Sequence, residues 1–482
     1  MSDDPVVLIA GASGYVGGRL VERLMNRPVR IRCMARRTEG MRERWGDRVE
    51  PVGADVLEPD TLPRALEGVH TAYYLIHSMG SGGDFEARER RAAENFAAAA
   101  EQAGVKRILY LGGLADERGR LSPHMRSRME TGRILRASKV PTLEFRASIV
   151  LGAGSLSFEM IRALVQRLPV MITPRWVRVR AQPIAVGDLL DYLEQALDLP
   201  EDQVRVYEIG GAEPTRYRDI MAEYARQRGL KRMFLPVPVL SPRLSSLWLG
   251  LVTPLFARVG RKLIESVTHP SVVTDPAARE VFSVEPCGVR EAIARALEEE
   301  ERGFATTRWS DSLAAGNTHR TWAGVRFGTR LVDSRTRRVA ATPERAFGAV
   351  RRIGGTTGWY YGNPLWRLRG AVDELAGGVG MRRGRRHADE LRPGDVIDCW
   401  RVESMEEGKV VRLRAEMKLP GRAWLEFEVS PAGDGECELR QTAVFDPKGL
   451  SGILYWYGIY PLHALVFRGM LKGAARAAET GR

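Results

Sequence analysis

A short apolar run at the start of the chain leads directly into three evenly spaced glycines. Val6–Ala10 has the composition of a buried strand, glycines follow at every third position from Gly11, and an amphipathic helix extends to about Met25. In such a unit the first glycine permits a tight turn, the second lets a ligand approach the backbone, and the third lets the helix lie against the strand. The pattern predicts dinucleotide binding at the helix start, where N–H groups are unpaired; a tight turn without a ligand is the alternative. The predicted ligand contacts are Gly11, Ser13, Gly14, Tyr15, Val16 and Gly17.

The residues after the next two predicted strands indicate which dinucleotide binds. A strand over residues 29–35 ends at Arg36 and Arg37, where an NAD-binding protein usually carries Asp or Glu for the ribose 2′-hydroxyl. Because arginine binds phosphate through a bidentate fork, these residues favour NADP(H), with NAD(H) as the alternative. Asp55 and Val56 follow a third strand, and Asp55 is predicted either to accept a hydrogen bond from the adenine amino group or to cap a helix.

Composition limits the partners and the compartment. A chain of 482 residues with 44% hydrophobic residues predicts two or more globular domains. Its net charge of +13 alone favours nucleic acid or an anionic surface, but the basic residues are scattered, so no nucleic-acid partner is predicted. The four cysteines are far apart, which predicts neither a disulfide framework nor a metal site. This cysteine usage and an acidic N-terminus unlike a signal peptide favour a cytoplasmic location.

Two apolar stretches raise the question of a membrane segment. Residues 235–257 contain four prolines and an arginine, and residues 450–467 contain Pro461 and His463. Neither provides the roughly 20 clean apolar residues that a spanning helix needs. Both are predicted to be buried helices, with peripheral membrane contact left open.

The first part of the chain alternates between strand and helix patterns. Strands are predicted at residues 6–10, 29–35, 49–52, 71–77, 107–112 and 142–147, with helices between them. This alternation predicts an α/β domain over residues 1–302, with a doubly wound parallel sheet of the Rossmann type. A helical, substrate-side part is predicted over about 150–302. Residues 303–330 lack periodicity and are predicted to be a linker.

The second part, residues 331–482, has a different pattern. Alternating segments separated by turn residues predict an α+β domain, an antiparallel sheet around one long helix over 449–479. The predicted strands are 330–339, 369–375, 395–404, 408–419, 421–430 and 435–445. An aromatic cluster over residues 359–366 is predicted to line a hydrophobic pocket or to belong to the core.

Several segments carry a family resemblance. In the first domain the segments are Gly11–Gly17, Tyr73–Met79, Gly112–Leu114 and Ser122–Arg128, which together resemble the atypical short-chain dehydrogenase/reductases of the NmrA-like kind. In the second domain they are Asp398–Glu403, Arg414–Glu426 and Tyr455–Tyr457, which resemble a helix-grip domain of the SRPBCC/START superfamily. The resemblance implies NAD(P) binding by the first domain.

The chain departs from active members of the dehydrogenase superfamily at the catalytic positions. Those members carry a Ser near the end of the fifth strand and Tyr-x-x-x-Lys on the next helix, whereas this chain has Gly112-Gly113, and His124 and Arg128 stand in the Tyr and Lys register. His124 is the predicted general acid, and Arg128 is predicted to hold the nicotinamide ribose. His77 and Ser78 are predicted to lie near the nicotinamide, with a structural role for His77 as the alternative.

Two functions of different class are compatible with these residues. The first is an NADP(H)-dependent oxidoreductase without the Ser/Tyr/Lys triad, acting on a hydrophobic carbonyl, quinone or enone compound held partly by the second domain. The second is a non-catalytic NADP(H)-binding sensor or small-ligand-binding protein, in which His124 and Arg128 are relics.

Overall fold

The structure is a computed structural model with two compact units. It describes residues 4–36, 38, 40–76, 85–116, 121–173, 175–237, 269–306, 320–321, 324–327, 330–380, 385, 387, 389–433 and 435–481. The first unit comprises Met1–Val165 and Val170–Ala305, and the second comprises Gln166–Pro169 and Thr306–Arg482. Each unit has its own sheet and its own hydrophobic core.

A parallel sheet organises the first unit. Its strands and the short strands beside it are β1 (Val6–Ala10), β2 (Arg30–Ala35), β3 (Val49–Gly53), β4 (Val69–Tyr74), β5 (Arg107–Gly113), β6 (Thr142–Ala147), β7 (Val150–Leu151), β8 (Val170–Thr173), β9 (Arg180–Ala181), β10 (Ile184–Ala185), β11 (Val206–Ile209), β12 (Thr215–Arg216) and β13 (Met233–Pro236). Seven of them form one parallel sheet in the order β11-β6-β5-β4-β1-β2-β3. The strand order reverses beside β1, and such a reversal opens a crevice for ligands at the carboxyl ends of the strands.

Helices cover both faces of this sheet. They are α1 (Tyr15–Leu24), α2 (Met41–Trp45), α3 (Leu62–Leu66), α4 (Phe85–Gln102), α5 (Pro123–Ala137), α6 (Leu156–Arg167), α7 (Val186–Gln195), α8 (Tyr217–Gln227), α9 (Ala277–Val281) and α10 (Val289–Thr306). Side chains of β1 alternate between two cores: Val7 and Ile9 pack with α1 and α7, and Leu8 packs with α3, α4 and α5. The predicted doubly wound Rossmann fold is confirmed.

The end of the first unit differs from the sequence-based expectation. Residues 235–300 are predicted to be largely helical, but 238–268 lie outside the described residues and 269–276 contain no helix. The predicted linker begins inside α10, which continues to Thr306. The acidic run of α10 is held by cations of the same unit, since Arg162 donates a hydrogen bond to Glu300 (2.6 Å) and Arg19 pairs with Glu299.

An antiparallel sheet and one long helix form the second unit. The elements are β14 (Arg320–Thr321), β15 (Gly324–Phe327), β16 (Arg330–Val339), α11 (Pro343–Arg351), α12 (Asn363–Leu375), β17 (Val396–Ile397), β18 (Trp400–Glu406), β19 (Val410–Ala415), β20 (Gly421–Gly433), β21 (Glu436–Pro447) and α13 (Gly449–Thr480). The strand order is β14-β15-β16-β21-β20-β19-β18-β17. The C-terminal half of α13 buries its apolar side in a core with β18–β21, which confirms the predicted antiparallel sheet with a C-terminal helix.

The predicted strand over residues 369–375 is wrong, because this segment belongs to α12. Gly362 starts the helix in the left-handed region (φ +67°), and Pro364 stands in its first turn, where a missing N–H costs nothing. The buried positions Trp366, Gly370 and Asp373 recur with the helical period, so one helix face is inside. Helix α11 was also not predicted.

Two further features concern the apolar and sulfur-containing side chains. All four cysteines are free and buried. Burial raises the pKa of Cys33, Cys287 and Cys399 to about 12, and it also raises the pKa of Cys437.

Among the described helices, α13 has the length and apolar character that could cross a membrane. Of its apolar stretch, 28% is buried within the protein.

Candidate active site

A cleft of about 610 Å³ lies at the carboxyl ends of β1, β2, β4 and β5. The residues predicted from sequence that line it are Gly11, Ser13, Gly14, Tyr15, Val16, Gly17, Arg36, Asp55, Val56, His124 and Arg128. The structure therefore brings the predicted cofactor and catalytic positions together, while their roles remain predictions. The predicted site residues Arg37, His77 and Ser78 lie outside the described residues.

The turn after β1 has a backbone that only glycine accommodates. Gly11 has a φ of +96°, and its N–H donates a hydrogen bond to the carbonyl of Met34 (3.1 Å). A Cβ on Gly17 would overlap the carbonyl oxygen of Gly11. Among the described residues, a Cβ on Gly14 would meet one atom within 4 Å, the Gly11 oxygen at 3.1 Å. Gly11 and Gly17 are thus required by the fold, whereas Gly14 keeps the ligand side of the turn open.

The start of α1 fits a pyrophosphate. Gly14 precedes the helix in an extended conformation, and no described side chain caps the first turn. The N–H groups of that turn have no partner within the helix and lie at the positive end of its dipole. An anion is the usual partner of such a helix end when a glycine turn exposes it. The residues present therefore fit the phosphates of a dinucleotide.

Arg36 and Asp55 border the part of the cleft next to β2 and β3. Arg36 is exposed, so its guanidinium can bind a phosphate with little desolvation. One carboxylate oxygen of Asp55 accepts a hydrogen bond from the N–H of Leu57 (2.9 Å), and the Asp55 N–H donates to Thr61 Oγ1 (3.0 Å). A local Asx turn, which is not a helix cap, therefore holds Asp55 at the cleft.

Tyr15 packs against protein groups. The guanidinium carbon of Arg19 lies 4.8 Å from the centre of its ring, within the range of a cation–π contact. A Cβ on Gly152 would overlap the Tyr15 hydroxyl, so Gly152 provides the space for the ring. Burial raises the pKa of Tyr15, which keeps the hydroxyl neutral. These contacts orient the side chain that follows Gly14.

His124 and Arg128 lie one turn apart at the start of α5. The Ser122 hydroxyl caps this helix by accepting a hydrogen bond from the N–H of Met125 (3.2 Å). The Arg128 guanidinium donates to the carbonyl of Leu111 and lies 5.4 Å from the ring centre of Tyr110. In return, the Tyr110 hydroxyl donates to the carbonyl of Arg128 (2.8 Å). Arg128 therefore fastens α5 to the end of β5 and keeps a positive charge in the cleft.

Two neighbouring side chains approach the end of β5, the position at which active short-chain dehydrogenase/reductases carry a serine. A Cβ on Gly113 would lie 2.7 Å from the terminal carbon of Met125, and one on Gly112 would lie 3.1 Å from a carboxylate oxygen of Glu144. Glu144 is buried and accepts hydrogen bonds from Arg136 (2.9 Å) and Arg146 (2.8 Å). A side chain at Gly112 or Gly113 would require the Glu144 or Met125 side chain to shift.

Sequence reasoning missed the far wall of the cleft. Its polar residues are Ser148, Ser155, Ser157, Tyr217 and Ser271. The hydroxyl oxygens of Ser148 and Ser271 lie 2.7 Å apart, and the Ser155 hydroxyl donates to the carbonyl of Val150 (2.8 Å). These residues come from segments far apart in the chain. The one local signal was Ser155, which caps α6 by accepting a hydrogen bond from the N–H of Phe158 (3.3 Å).

The fold and the glycine turn define an NAD(P)-binding Rossmann domain. Residues 11–146 match the model of a family described as NAD(P)H-binding. Residues 327–470 match that of a family described as protein of unknown function, DUF2867.

Relatives of known name resemble the first unit in sequence or in fold. The chain is 24% identical over 211 residues to the photosystem II assembly factor Ycf39 of Trieres chinensis, an alignment covering 42% of this chain and 63% of the relative. It is 18% identical to the triphenylmethane reductase of Citrobacter sp. solved with NADP(H), with a TM-score of 0.50, over 61% of this chain and 99% of that one. A nucleoside-diphosphate-sugar epimerase from Staphylococcus aureus is 16% identical, with a TM-score of 0.50, over 60% and 99%. At these identities the solved structures show the fold alone.

Proposed function

We propose that this protein is an NADP(H)-dependent oxidoreductase that reduces a hydrophobic carbonyl, quinone or enone compound. The observation that carries the proposal is the single cleft that joins the glycine turn to His124 and Arg128. A proton donor and a fixed cation beside a dinucleotide site are what the reduction of a polarised double bond requires. The triphenylmethane reductase with the same fold, solved with NADP(H), supports this class of chemistry.

Each group of residues has its own task in this proposal. The N–H groups at the start of α1 hold the pyrophosphate, and Arg36 holds the 2′-phosphate of NADP(H) in preference to NAD(H). A bound reduced nicotinamide supplies the hydride in reactions of this class. The His124 imidazole donates the proton to the substrate oxygen, since histidine is the side chain type whose ordinary pKa lies near neutral pH. Arg128 holds β5 against α5 and lends positive charge to the site.

The second unit is proposed to hold the hydrophobic substrate or ligand, as a helix-grip domain. Gln441 on β21 is 1% exposed, and its amide oxygen and nitrogen have no hydrogen-bond partner among the described residues. It pairs across the strands with Arg335, which donates to the carbonyl of Ala464 on α13 (3.0 Å), so Gln441 shares the face covered by that helix. A buried unpaired amide costs about 1–3 kcal/mol, which the polar group of a ligand would offset.

A non-catalytic NADP(H) sensor is the second candidate, and one observation favours it. The Met125 side chain lies against the position at which active short-chain dehydrogenase/reductases carry a serine, and the Arg128 guanidinium is engaged by the Leu111 carbonyl. A site that only binds the dinucleotide needs neither a serine hydroxyl nor a cation available to the substrate.

Spectrophotometry of NADPH oxidation separates the two candidates. Purified protein is incubated with NADPH and a panel of quinones, enones and aldehydes, and absorbance of the reduced nicotinamide is followed. Turnover of one substrate class that disappears in His124→Ala supports the oxidoreductase. NADPH binding by calorimetry without turnover on any of the panel would favour the sensor. If the wild-type protein shows neither turnover nor NADPH binding, dinucleotide binding itself is contradicted.

A further inference from the structure

The first five turns of α13 contain no charged side chain. Gly449–Phe467 has no Asp, Glu, Lys or Arg, and Lys448 and Arg468 flank it. Several of its leucines face solvent: Leu454 is 64% exposed and Leu465 is 55% exposed. A core helix would bury these side chains, and exposed apolar patches of this kind mark interaction surfaces.

The neighbouring helix α12 adds to this apolar surface. Leu368 is 62% exposed and Leu375 is 90% exposed. Trp366 near the start of α12 lies 6.5 Å from Phe467 between ring centres, whereas Arg369, further along, donates to the hydroxyl of Tyr455 (3.3 Å). These two side-chain contacts join α12 to α13. We call the exposed leucines and valine of the two helices the apolar stripe: Leu450, Leu454, Leu462 and Leu465 of α13 with Leu368, Val372 and Leu375 of α12.

The exposed face of α13 changes from apolar to cationic along the helix. Beyond Leu465 the exposed positions of this face are Arg468, Lys472 and Arg476, which we call the cationic run. With 3.6 residues per turn, the leucines and these cations fall within about 120° of arc on the helix. Both helices are described in full, and no Asp or Glu is exposed on α12 or on α13 before Glu479.

We propose that the second unit docks on the surface of an anionic lipid bilayer through the apolar stripe and the cationic run. Such a surface meets both halves of the face at once, with the leucines entering the acyl boundary and the cations lying at the lipid phosphates. The net charge of +13 adds long-range attraction to such a surface. A second copy of the chain is a less suitable partner. In a dimer through this face, neither copy would offer an exposed carboxylate to pair with Arg468, Lys472 or Arg476 of the other.

Flotation of the full-length protein with lipid vesicles tests the proposal. Vesicles of phosphatidylcholine alone are compared with vesicles containing equal parts of phosphatidylcholine and phosphatidylglycerol. The wild-type protein is expected to float with the anionic vesicles and to be released by salt. Leu454→Glu and Leu465→Glu should each lower partitioning onto anionic vesicles at least about tenfold. Each change replaces a leucine that enters the bilayer on binding by an anion.

Matched controls come from equally exposed side chains of the first unit. Val204 is 56% exposed and Met233 is 59% exposed, so Val204→Glu and Met233→Glu make the same chemical change elsewhere. These variants should float like the wild type. The paired change Arg468→Gln with Lys472→Gln should weaken binding to anionic vesicles by about fivefold per cation and leave neutral vesicles unaffected.

Three outcomes would overturn the proposal. The stripe variants and the control variants could float equally, which would show that the apolar stripe does not contribute to vesicle binding. The wild type could bind neutral and anionic vesicles alike, which would show that the cationic run does not contribute. Light scattering could show a dimer that Leu454→Glu dissociates while no vesicle is bound, which would make the stripe an interface between two copies. Circular dichroism confirms that each variant is folded before it is scored.

Discussion

At the scale of single residues, Arg36 should decide between the two nicotinamide dinucleotides. A hydrogen bond to a charged group contributes about 1.5–3 kcal/mol, so NADPH should bind at least about tenfold more tightly than NADH. Because Arg36 is exposed at the cleft, Arg36→Ala should remove most of this difference without unfolding the protein. Calorimetric titration measures both affinities. Equal affinities in the wild-type protein would refute the preference for NADP(H).

Gly14 should be essential for binding and not for the fold. Its φ of −79° suits any residue, and its one close neighbour among the described residues is the Gly11 oxygen at 3.1 Å, so a larger side chain would mainly fill the ligand side of the turn. Gly14→Val should abolish NADPH binding and leave the unfolding of the second unit unchanged. Beyond its own helix backbone, Gly187 on α7 has no described atom within 4 Å of an added Cβ, so Gly187→Val is a control for the general effect of valine. A Gly14→Val protein that binds NADPH normally would place the phosphate elsewhere.

His124 carries the sharpest prediction about catalysis. General acid catalysis contributes typically about 10²–10⁴-fold, so His124→Ala should lower turnover by about that factor with little change in NADPH affinity. Steady-state kinetics beside calorimetry measures the two effects separately. Arg126, on the same helix and exposed, offers a control, since Arg126→Ala leaves the cleft lining intact. Normal turnover by His124→Ala would assign the proton to another group or to water.

At the scale of elements, the contact of α13 with β16 should make the second unit sensitive to acid. Burial lowers the pKa of His463 to about 4, and the nearby Arg335 cation also lowers it. Asp333 Oδ2 lies 3.6 Å from His463 Nε2 and acts in the opposite direction, because its carboxylate favours the charged imidazole. Since the ordinary pKa of histidine is about 6.5, the unfolded chain binds more protons between these values. Stability should therefore fall as pH drops from about 6.5 to about 4, by about 3 kcal/mol in total. Denaturant unfolding of His463→Gln should show a flatter pH profile.

The sequence predicted the elements of the first unit well because their patterns are local. The strand of β1 and the glycines after it can be read from adjacent residues, and so can the arginine at the end of β2. The wall formed by Ser148 and Ser271 depends on contacts across more than a hundred positions, so no local motif marks it. The helix α12 was mistaken for a strand because its buried residues are few and an apolar face points outward.

At the scale of the whole molecule, the second unit should fold by itself. Strand β14 pairs with β15 and β15 pairs with β16, so a fragment must begin before Arg320 to keep the complete sheet. We expect residues 315–482 to give a cooperative thermal transition by circular dichroism, and a fragment from 331 to be less stable because it lacks the two edge strands. An insoluble longer fragment would contradict independent folding.

The four buried cysteines have a practical consequence. Thiol reagents attack the thiolate, and burial keeps these sulfurs protonated and out of reach. The native chain should therefore remain almost unlabelled by maleimides, and no cysteine has to be removed before a reporter is attached. A single exposed substitution such as Leu465→Cys would then carry a fluorophore at one defined position, and its emission would report the polarity of whatever surface that helix meets.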